Sequence, residues 1–351
     1  SKLSFSHRGS EMNEVMKNII KLAIDKPLSE ENAMIAFSEI MSGNALEGQI
    51  AGFLIALRSR GETVIEIKAA AKTMLNECRR VNAPASSLDI VGTGGDGKGT
   101  LNISTTTALV VASCGVHVAK HGNKNISSKS GAADVLEELG INTVVEPNIV
   151  EKCILKAKIG FMMAPIHHPA VKNVMPTRQM LGIRTIFNIL GPLTNPAQVK
   201  YHLIGAYSKA LLKPMAQTLQ QLGSKSAWVV HGKDGIDEIS ISGPTNITSL
   251  NNNKIESFEI NPADAGLPTH DLQKILGGSP AHNASELRSL IAGKISPYRD
   301  AVLLNASAAL LVAGKAKNLT QGVDIAAQAI ESGATKKTLE LLSKLTNENL
   351  Q

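Results

Sequence analysis

The pattern of apolar residues changes at Leu88, and this change constrains the fold more than any other feature of the sequence. Before it, apolar side chains recur only at helical spacing, whereas beyond it short β-type runs alternate with longer helical stretches. Such alternation is typical of parallel strands joined by crossover helices. We therefore expect an α/β fold with a mainly parallel central sheet flanked by helices. The predicted parallel strands are 88–91, 116–119, 160–163, 203–206 and 227–230, and an antiparallel pair is predicted at 239–247 and 254–260.

The region before the first strand predicts a small, all-helical N-terminal domain. Two apolar stripes at helical spacing are each closed by a glycine. Thr63 and Glu66 have the spacing of a capping box ahead of a third helix. The sequence therefore divides into a helical domain over 11–84 and a larger α/β domain over 85–351.

The composition limits the classes of function. No apolar run approaches the ~20 residues of a membrane-spanning helix, so no membrane partner is expected. The three cysteines are far apart and lack the spacing of a metal site, which favours reduced thiols and a cytoplasmic protein. Residues 97–133 and 152–233 contain no Asp or Glu, although they carry four and eleven basic residues. Two acid-free blocks favour an anionic ligand, either a phosphorylated small molecule or nucleic acid. The scarcity of aromatic residues argues against single-stranded nucleic acid.

A glycine-rich turn follows the first predicted strand, with five glycines between Gly92 and Gly99. Exposed backbone N–H groups ahead of a helix are suited to phosphate oxygens. The dinucleotide pattern G-x-G-x-x-G is met, but the acid expected about 20 residues later is missing from 116–124. The P-loop spacing is also met, but Gly99 stands where Ser or Thr binds magnesium. A loop that merely needs flexibility remains an equal alternative on composition alone.

The next predicted strand delivers Lys120 to the same edge of the sheet. Ligands of α/β sheets bind at the carboxyl ends of the strands, so Lys120 is expected to face the glycine turn. Asn102, Ser104 and Thr105 begin the intervening helix and can donate hydrogen bonds to phosphate. Simple helix capping is the alternative for Asn102 and Ser104.

Several motifs now occur in order, and together the chain resembles the anthranilate phosphoribosyltransferase family from about Gly43 onward. These motifs are Gly92-Thr-Gly-Gly-Asp96, Asn102-Ile-Ser-Thr105, Lys120-His-Gly-Asn123, Ser127-Ser128-Lys-Ser-Gly131, the run from Arg184 to Pro196, and Asp237-Glu238. The family transfers phosphoribosyl from phosphoribosyl pyrophosphate to anthranilate in tryptophan biosynthesis, as a magnesium-dependent homodimer. The resemblance also implies that helices from about 170–190 join the helical domain.

The resemblance implies a role for individual residues of this chain. Those expected to bind phosphoribosyl pyrophosphate are Gly92, Gly95, Asp96, Thr100, Asn102, Ser104, Thr105, Lys120, Asn123 and Ser128. Those expected to bind anthranilate are Gly92, Asn123, His168, Arg178 and Pro192. Magnesium is expected at Ser104, Asp237 and Glu238. One position departs from the family, because Ala132 stands where many members have a serine that contacts phosphate.

For some of these residues, the residue type alone gives only weak support for the assigned role. Without the resemblance, Asp237-Glu238 would be interpreted as a surface turn. Arg178 offers a planar fork suited to a carboxylate, but it could also be a solvated residue of a predicted helix over 170–181. His167-His168-Pro169 is more typical of a packed turn than of a general base. An aromatic amine is unprotonated at neutral pH, so we expect no single catalytic acid or base.

Two other functions compete with this interpretation. A pyrimidine nucleoside phosphorylase would share the architecture and a phosphate-binding turn, but its Asp-Lys-His-Ser-Thr-Gly-Gly stretch is absent. A non-enzymatic nucleic-acid-binding relative would use the two basic blocks. The complete set of ligand motifs argues against nucleic acid as the partner.

Overall fold

The computed structural model describes residues 14–124 and 130–348. The chain forms two compact units, and it passes from one to the other three times. The first unit contains the chain up to Cys78 together with His168–Thr194, and the second contains Arg79–His167 and the chain from Asn195 onward. Residues 79–84, which the sequence analysis places in the helical domain, therefore belong to the second unit.

The first unit is entirely helical within its described residues. Its α-helices are α1 (Glu14–Asp25), α2 (Glu30–Met41), α3 (Glu47–Arg60), α4 (Val64–Glu77), α9 (Met175–Leu181) and α10 (Phe187–Leu190), with 3-10 turns at Pro169–Asn173 and Gly191–Leu193. The helix predicted over 170–181 is thus interrupted, because Val174 separates the 3-10 turn from α9.

Aromatic packing joins the two parts of this unit. Phe37 lies edge-on to Phe53 and to Phe187, with ring centroids 5.4 and 6.2 Å apart. The Asn173 amide donates to Met41 O at 2.7 Å, which ties the returning segment to α2. At the start of α4, Thr63 and Glu66 form the predicted capping box, so that expectation is confirmed.

The second unit is built on a seven-stranded sheet, counted within the described residues. Its strands are β1 (Leu88–Gly92), β2 (Val118–Gly122), β3 (Ile159–Met163), β4 (Tyr201–Gly205), β5 (Ser226–Gly232), β6 (Thr245–Asn251) and β7 (Lys254–Ile260). The strand order is β3-β2-β1-β4-β5-β6-β7. Neighbours from β3 to β5 are parallel, and β6 and β7 are antiparallel, so the predicted fold class is confirmed.

Two predicted strands need correction. The strand expected at 116–119 is β2, and it extends through Lys120 and His121. The strand expected at 239–247 begins only at Thr245. Ile239 and Ile241 are buried although they lie in a loop, so their alternation reflected burial rather than strand pairing.

Helices surround the sheet and complete the core. They are α5 (Ile103–Ser113), α6 (Ala132–Glu138), α7 (Pro147–Ala157), α8 (Ala164–His167), α11 (Leu212–Gln221), α12 (Pro280–Ile291), α13 (Pro297–Val312), α14 (Leu319–Glu331) and α15 (Ala334–Asn347). The apolar helix α13 packs against α5 and α14, so the C-terminal helices lie beside the helix that follows the glycine turn. Within 14–124 and 130–348, no helix is both long and apolar enough to cross a membrane.

Candidate active site

The glycine turn leaves the carboxyl end of β1 in a conformation that requires glycine. Gly94, Gly95, Gly97 and Gly99 all have positive φ, between 63° and 73°. Residues other than glycine rarely adopt this region, so the turn requires glycine at these four positions. Thr93 N donates to Gly205 O at 2.8 Å, which fixes the start of the turn to β4.

The acidic pair lies directly against this turn. Gly94 N donates to Asp237 Oδ2 at 2.9 Å, and Asp237 N donates to Asp96 Oδ2 at 3.2 Å. Each segment thus donates a backbone N–H to a carboxylate of the other, although Asp96 and Asp237 are 141 residues apart in the sequence. Asp237-Glu238 is therefore part of the glycine-turn site rather than a solvated surface turn.

Three carboxylates, those of Asp96, Asp237 and Glu238, lie close enough together to interact electrostatically. Burial and the negative charge of Asp96 raise the pKa of Asp237 to about 7. Burial and the charges of Asp237 and Asp96 raise the pKa of Glu238 well above its ordinary value, although Lys120 and the Ser104 N–H act in the opposite direction. Among the described residues, Glu238 Oε2 is buried without a hydrogen-bond partner. An unpaired buried oxygen beside two other carboxylates is the setting in which a cation is stabilising.

The donor set fits magnesium. Mg²⁺ prefers oxygen ligands and is usually held by one or two carboxylates together with substrate phosphates. Glu238 and Asp237 supply such carboxylates, and the Ser104 hydroxyl lies at the start of α5. No group of three or more His, Cys, Asp or Glu side chains in residues 14–124 and 130–348 is arranged to hold a metal by itself.

Lys120 lies within β2 and is almost completely buried, with 3% of its surface exposed. Its Nζ donates to Ile90 O at 2.6 Å, in the middle of the neighbouring strand β1. Burial lowers the pKa of Lys120, and the charges of Asp89, Glu238 and Asp237 raise it. Lys120 is thus a buried amine with acidic side chains around it, on the same edge of the sheet as the glycine turn.

The start of α5 is held in a way that helix capping does not explain. Asn102 occupies the N-cap position, but its side chain makes no capping hydrogen bond. Its amide instead contacts Asn283 and Ser130 O. Thr105 Oγ1 is buried and lacks a partner among the described residues. Thr100 pairs with Leu276 in an isolated antiparallel bridge, and the Asn123 side chain accepts from Lys124 N at 2.7 Å. Ser128 lies outside the described residues.

The residues expected to bind anthranilate fall mainly in the helical unit. His168, Arg178 and Pro192 belong to it, whereas Gly92 and Asn123 belong to the α/β unit. His168 is buried and its Nε2 contacts Thr194 O at 2.7 Å, so this nitrogen is already engaged by the backbone. Pro192 is buried in a 3-10 turn.

Arg178 is a half-buried cation on α9. Burial lowers the pKa of its guanidinium. Its nearest polar contact is Met175 Sδ, at 3.9 Å from Nη1, and none of the ion pairs formed within the described residues includes it. A guanidinium in this state can accept a carboxylate ligand.

Several buried polar residues of the site region were not singled out by the sequence analysis. Asp89 accepts from His121 N at 3.2 Å and from the Asn195 amide at 2.9 Å, beneath Lys120. The Asn305 amide hydrogen-bonds both the N–H and the carbonyl of Ile239, directly after the acidic pair. In each case the sequence shows one polar residue within an apolar strand or helix. This pattern indicates that the side chain has a buried hydrogen-bond partner, but it does not identify that partner.

Comparison with known proteins agrees with this geometry. Residues 11–78 match the model of the glycosyl transferase family, helical bundle domain, and residues 85–336 match that of the glycosyl transferase family, a/b domain. The chain is 53% identical over 327 residues to an anthranilate phosphoribosyltransferase of Rhodospirillum rubrum, covering 93% of this chain and 94% of that protein.

Solved structures extend the similarity to three dimensions. The crystal structure of an anthranilate phosphoribosyltransferase from Thermus thermophilus matches with a TM-score of 0.89 at 39% identity, over 95% of this chain and 99% of the other. The Saccharomyces cerevisiae enzyme in complex with phosphoribosyl pyrophosphate and Mg matches with a TM-score of 0.88 at 30% identity, over 96% and 99%.

Proposed function

This chain belongs to the anthranilate phosphoribosyltransferase family, and we propose that it transfers the phosphoribosyl group of phosphoribosyl pyrophosphate to the amine of anthranilate, releasing pyrophosphate. The observation that carries the proposal is the contact between Asp237 and the glycine turn, beside the unpaired Glu238 oxygen. That arrangement supports the proposal, because it puts a glycine turn suited to phosphate oxygens beside carboxylates that a cation would stabilise.

Displacement of pyrophosphate from the ribose C1 develops negative charge on the leaving group. The N–H groups of the glycine turn and the buried Lys120 offer that charge fixed donors and a fixed cation. Magnesium, when bound at Asp237, Glu238 and Ser104, supplies further positive charge to the phosphate oxygens. We assign the ribose pyrophosphate to the residues that the family resemblance implies, Gly92, Gly95, Asp96, Thr100, Asn102, Ser104, Thr105, Lys120, Asn123 and Ser128.

The acceptor needs positioning rather than activation. The aniline nitrogen is unprotonated at neutral pH, so its lone pair can attack C1 without prior removal of a proton. The N–C1 bond forms as the bond from C1 to the pyrophosphate oxygen breaks, and the nitrogen then gives up a proton to the released pyrophosphate or to water. We assign the anthranilate carboxylate to Arg178, with His168, Pro192, Gly92 and Asn123 as further contacts. The His168 Nε2 contact with Thr194 O agrees with a positioning role for this histidine. We further propose that the protein is a cytoplasmic homodimer whose helical domain is the first unit.

The test is the loss of anthranilate fluorescence on addition of phosphoribosyl pyrophosphate and magnesium. We expect the loss to require both additions and to be accompanied by one equivalent of pyrophosphate. Thymidine phosphorolysis without magnesium would instead favour a nucleoside phosphorylase. Salt-dependent DNA binding without pyrophosphate release would favour a nucleic-acid-binding protein.

A further inference from the structure

A short segment, residues 275–278, is hydrogen-bonded to the end of the glycine turn. Leu101 N donates to Ile275 O and Gly277 N donates to Gly99 O, both at 2.8 Å, around the bridge between Thr100 and Leu276. The segment then enters α12, where Asn283 lies in the first turn with 3% of its surface exposed.

The Asn283 side chain connects this segment to Asn102 through hydrogen bonds of fixed direction. Gly278 N donates to Asn283 Oδ1 at 2.8 Å, and Asn283 Nδ2 donates to Asn102 Oδ1 at 3.1 Å. Asn102 Nδ2 then donates to Ser130 O at 3.3 Å. A backbone N–H can only donate and a carbonyl can only accept, so the two ends of the chain of bonds determine how both amides are turned.

The backbone of Asn102 is held independently of its side chain. Tyr298 Oη, on α13, donates to Asn102 O at 2.9 Å and also contacts Thr106 Oγ1 at 2.6 Å. Asn102 is thereby fixed in position by α13, and the contact with Asn283 adds the orientation of the amide. Ser130 Oγ is buried beside this amide and has no partner among the described residues.

We propose that Asn283 is a positioning residue that turns the Asn102 amide so that it presents a hydrogen-bond donor to a phosphate group of the substrate. The inference rests on the proposed function, since it takes the ligand to be phosphoribosyl pyrophosphate. Asn102 Nδ2 carries a second hydrogen besides the one given to Ser130 O. An anionic oxygen is stabilised by that hydrogen and repelled by the carbonyl oxygen of the reversed amide.

Asn283→Asp tests the direction of the hydrogen bonds with almost no change in shape. The carboxylate still accepts from Gly278 N, but it offers no hydrogen to Asn102, whose amide is then free to reverse. We expect the Kd of phosphoribosyl pyrophosphate with magnesium, measured by titration calorimetry, to rise at least about tenfold, as for one lost charge-assisted hydrogen bond. The KM for phosphoribosyl pyrophosphate should rise in parallel, while the KM for anthranilate stays unchanged.

Two further variants separate positioning from folding. Asn283→Ala removes the link without adding charge and should weaken binding in the same direction. Asn142→Asp is the matched control, because the Asn142 side chain accepts from Val144 N through Oδ1, which an aspartate preserves. We expect its Kd to equal that of the wild type.

A double-mutant cycle supplies the decisive measurement. In the Asn102→Leu background, Asn283→Asp should cause no further loss of binding, because the amide that it orients is gone. Additive losses, equal effects on both KM values, or wild-type binding by Asn283→Asp would each overturn the positioning role. If the wild-type protein itself bound neither phosphoribosyl pyrophosphate nor pyrophosphate, the proposed function would fail as well.

Discussion

Glu238 places a carboxyl oxygen without a hydrogen-bond partner in the described part of the chain beside two other carboxylates, where a cation would stabilise it. Its Oε2 has no partner among the described residues, and Asp237 and Asp96 add like charges. We expect Glu238→Gln to lower turnover by about 10²-fold or more, as for the loss of one electrostatic stabiliser. Its thermal stability without magnesium should not fall, because glutamine removes a carboxyl group whose charged form burial and the neighbouring carboxylates disfavour.

The control for this prediction is Glu138→Gln, on the exposed surface of α6. Turnover should be measured across a magnesium titration, together with Mn²⁺ binding by electron paramagnetic resonance. Near-wild-type rates of Glu238→Gln at limiting magnesium, or undiminished Mn²⁺ binding, would remove Glu238 from the metal site.

His202 provides a test of burial away from the site. Burial and the charge of Lys200 lower its pKa to about 3, from 6.5. The folded protein therefore keeps this imidazole neutral where the unfolded chain takes up a proton. Its contribution to stability is complete above the unfolded pKa and is lost as the pH falls from 6.5 towards 3.

We expect the free energy of unfolding to fall relative to that of His202→Gln by about 1 kcal/mol between pH 6.5 and 5.5. Urea unfolding at both pH values measures the difference. The comparison cancels Asp89, whose burial raises its pKa to about 6 and so gives the opposite trend in both proteins. If the His202 imidazole were solvated, the wild type and His202→Gln would change in stability in parallel between the two pH values, and the prediction would be wrong.

The end of β4 depends on a glycine for a reason that only the packing reveals. A Cβ at Gly205 would lie 1.5 Å from the Asp237 carbonyl oxygen, so any side chain must displace the acidic pair. We expect Gly205→Ala to reduce turnover by about 10²-fold or more and to lower stability by about 1–3 kcal/mol, as for an overpacked interior. Turnover and urea unfolding together measure both effects.

Gly243→Ala is the matched control, because a Cβ there meets no atom within 4 Å and the backbone does not have positive φ. Full activity of Gly205→Ala would mean that the acidic pair need not lie against β4.

The strands show how much of the fold can be predicted from local sequence patterns. The parallel strands were predicted from β-type runs, and all five lie within about three residues of their predicted bounds, a usual uncertainty for strand ends. The prediction failed at 239–247 because Ile239 and Ile241 alternate like strand residues while they anchor a loop. Asn305 takes the place of a neighbouring strand there by pairing with both backbone groups of Ile239. A pairing between residues 66 positions apart leaves no trace in local periodicity.

The site residues were less accessible to sequence reasoning than the fold. The glycine turn and Lys120 could be inferred from strand ends, because parallel strands bring their carboxyl ends to one edge. Asp237-Glu238 and Arg178 came only from the family resemblance, since acidic pairs and helical arginines are usually solvated. Asn283 and Asn305 escaped both kinds of reasoning, because their roles consist of contacts with backbone groups far away in the chain.

The residues that we assign to the substrates and to magnesium are divided between the two units. Every described residue assigned to the ribose pyrophosphate and to magnesium belongs to the α/β unit, whereas Arg178 belongs to the helical unit. The loss of Arg178 should therefore affect one substrate and spare the other. Its partial burial without an ion pair in the described part of the chain makes a carboxylate ligand favourable, because the guanidinium has already lost part of its hydration.

We expect Arg178→Ala to raise the KM for anthranilate by about tenfold or more, as for a lost charge-assisted pair, and to leave the KM for phosphoribosyl pyrophosphate nearly unchanged. Arg178→Lys should recover only part of the loss, since an ammonium cannot form the bidentate contact. Arg58→Ala, on α3 of the same unit, serves as the control for the loss of a positive charge. Equal effects of Arg178→Ala on both KM values would place this residue outside the acceptor site, and an unchanged KM for anthranilate would leave its buried charge without a ligand.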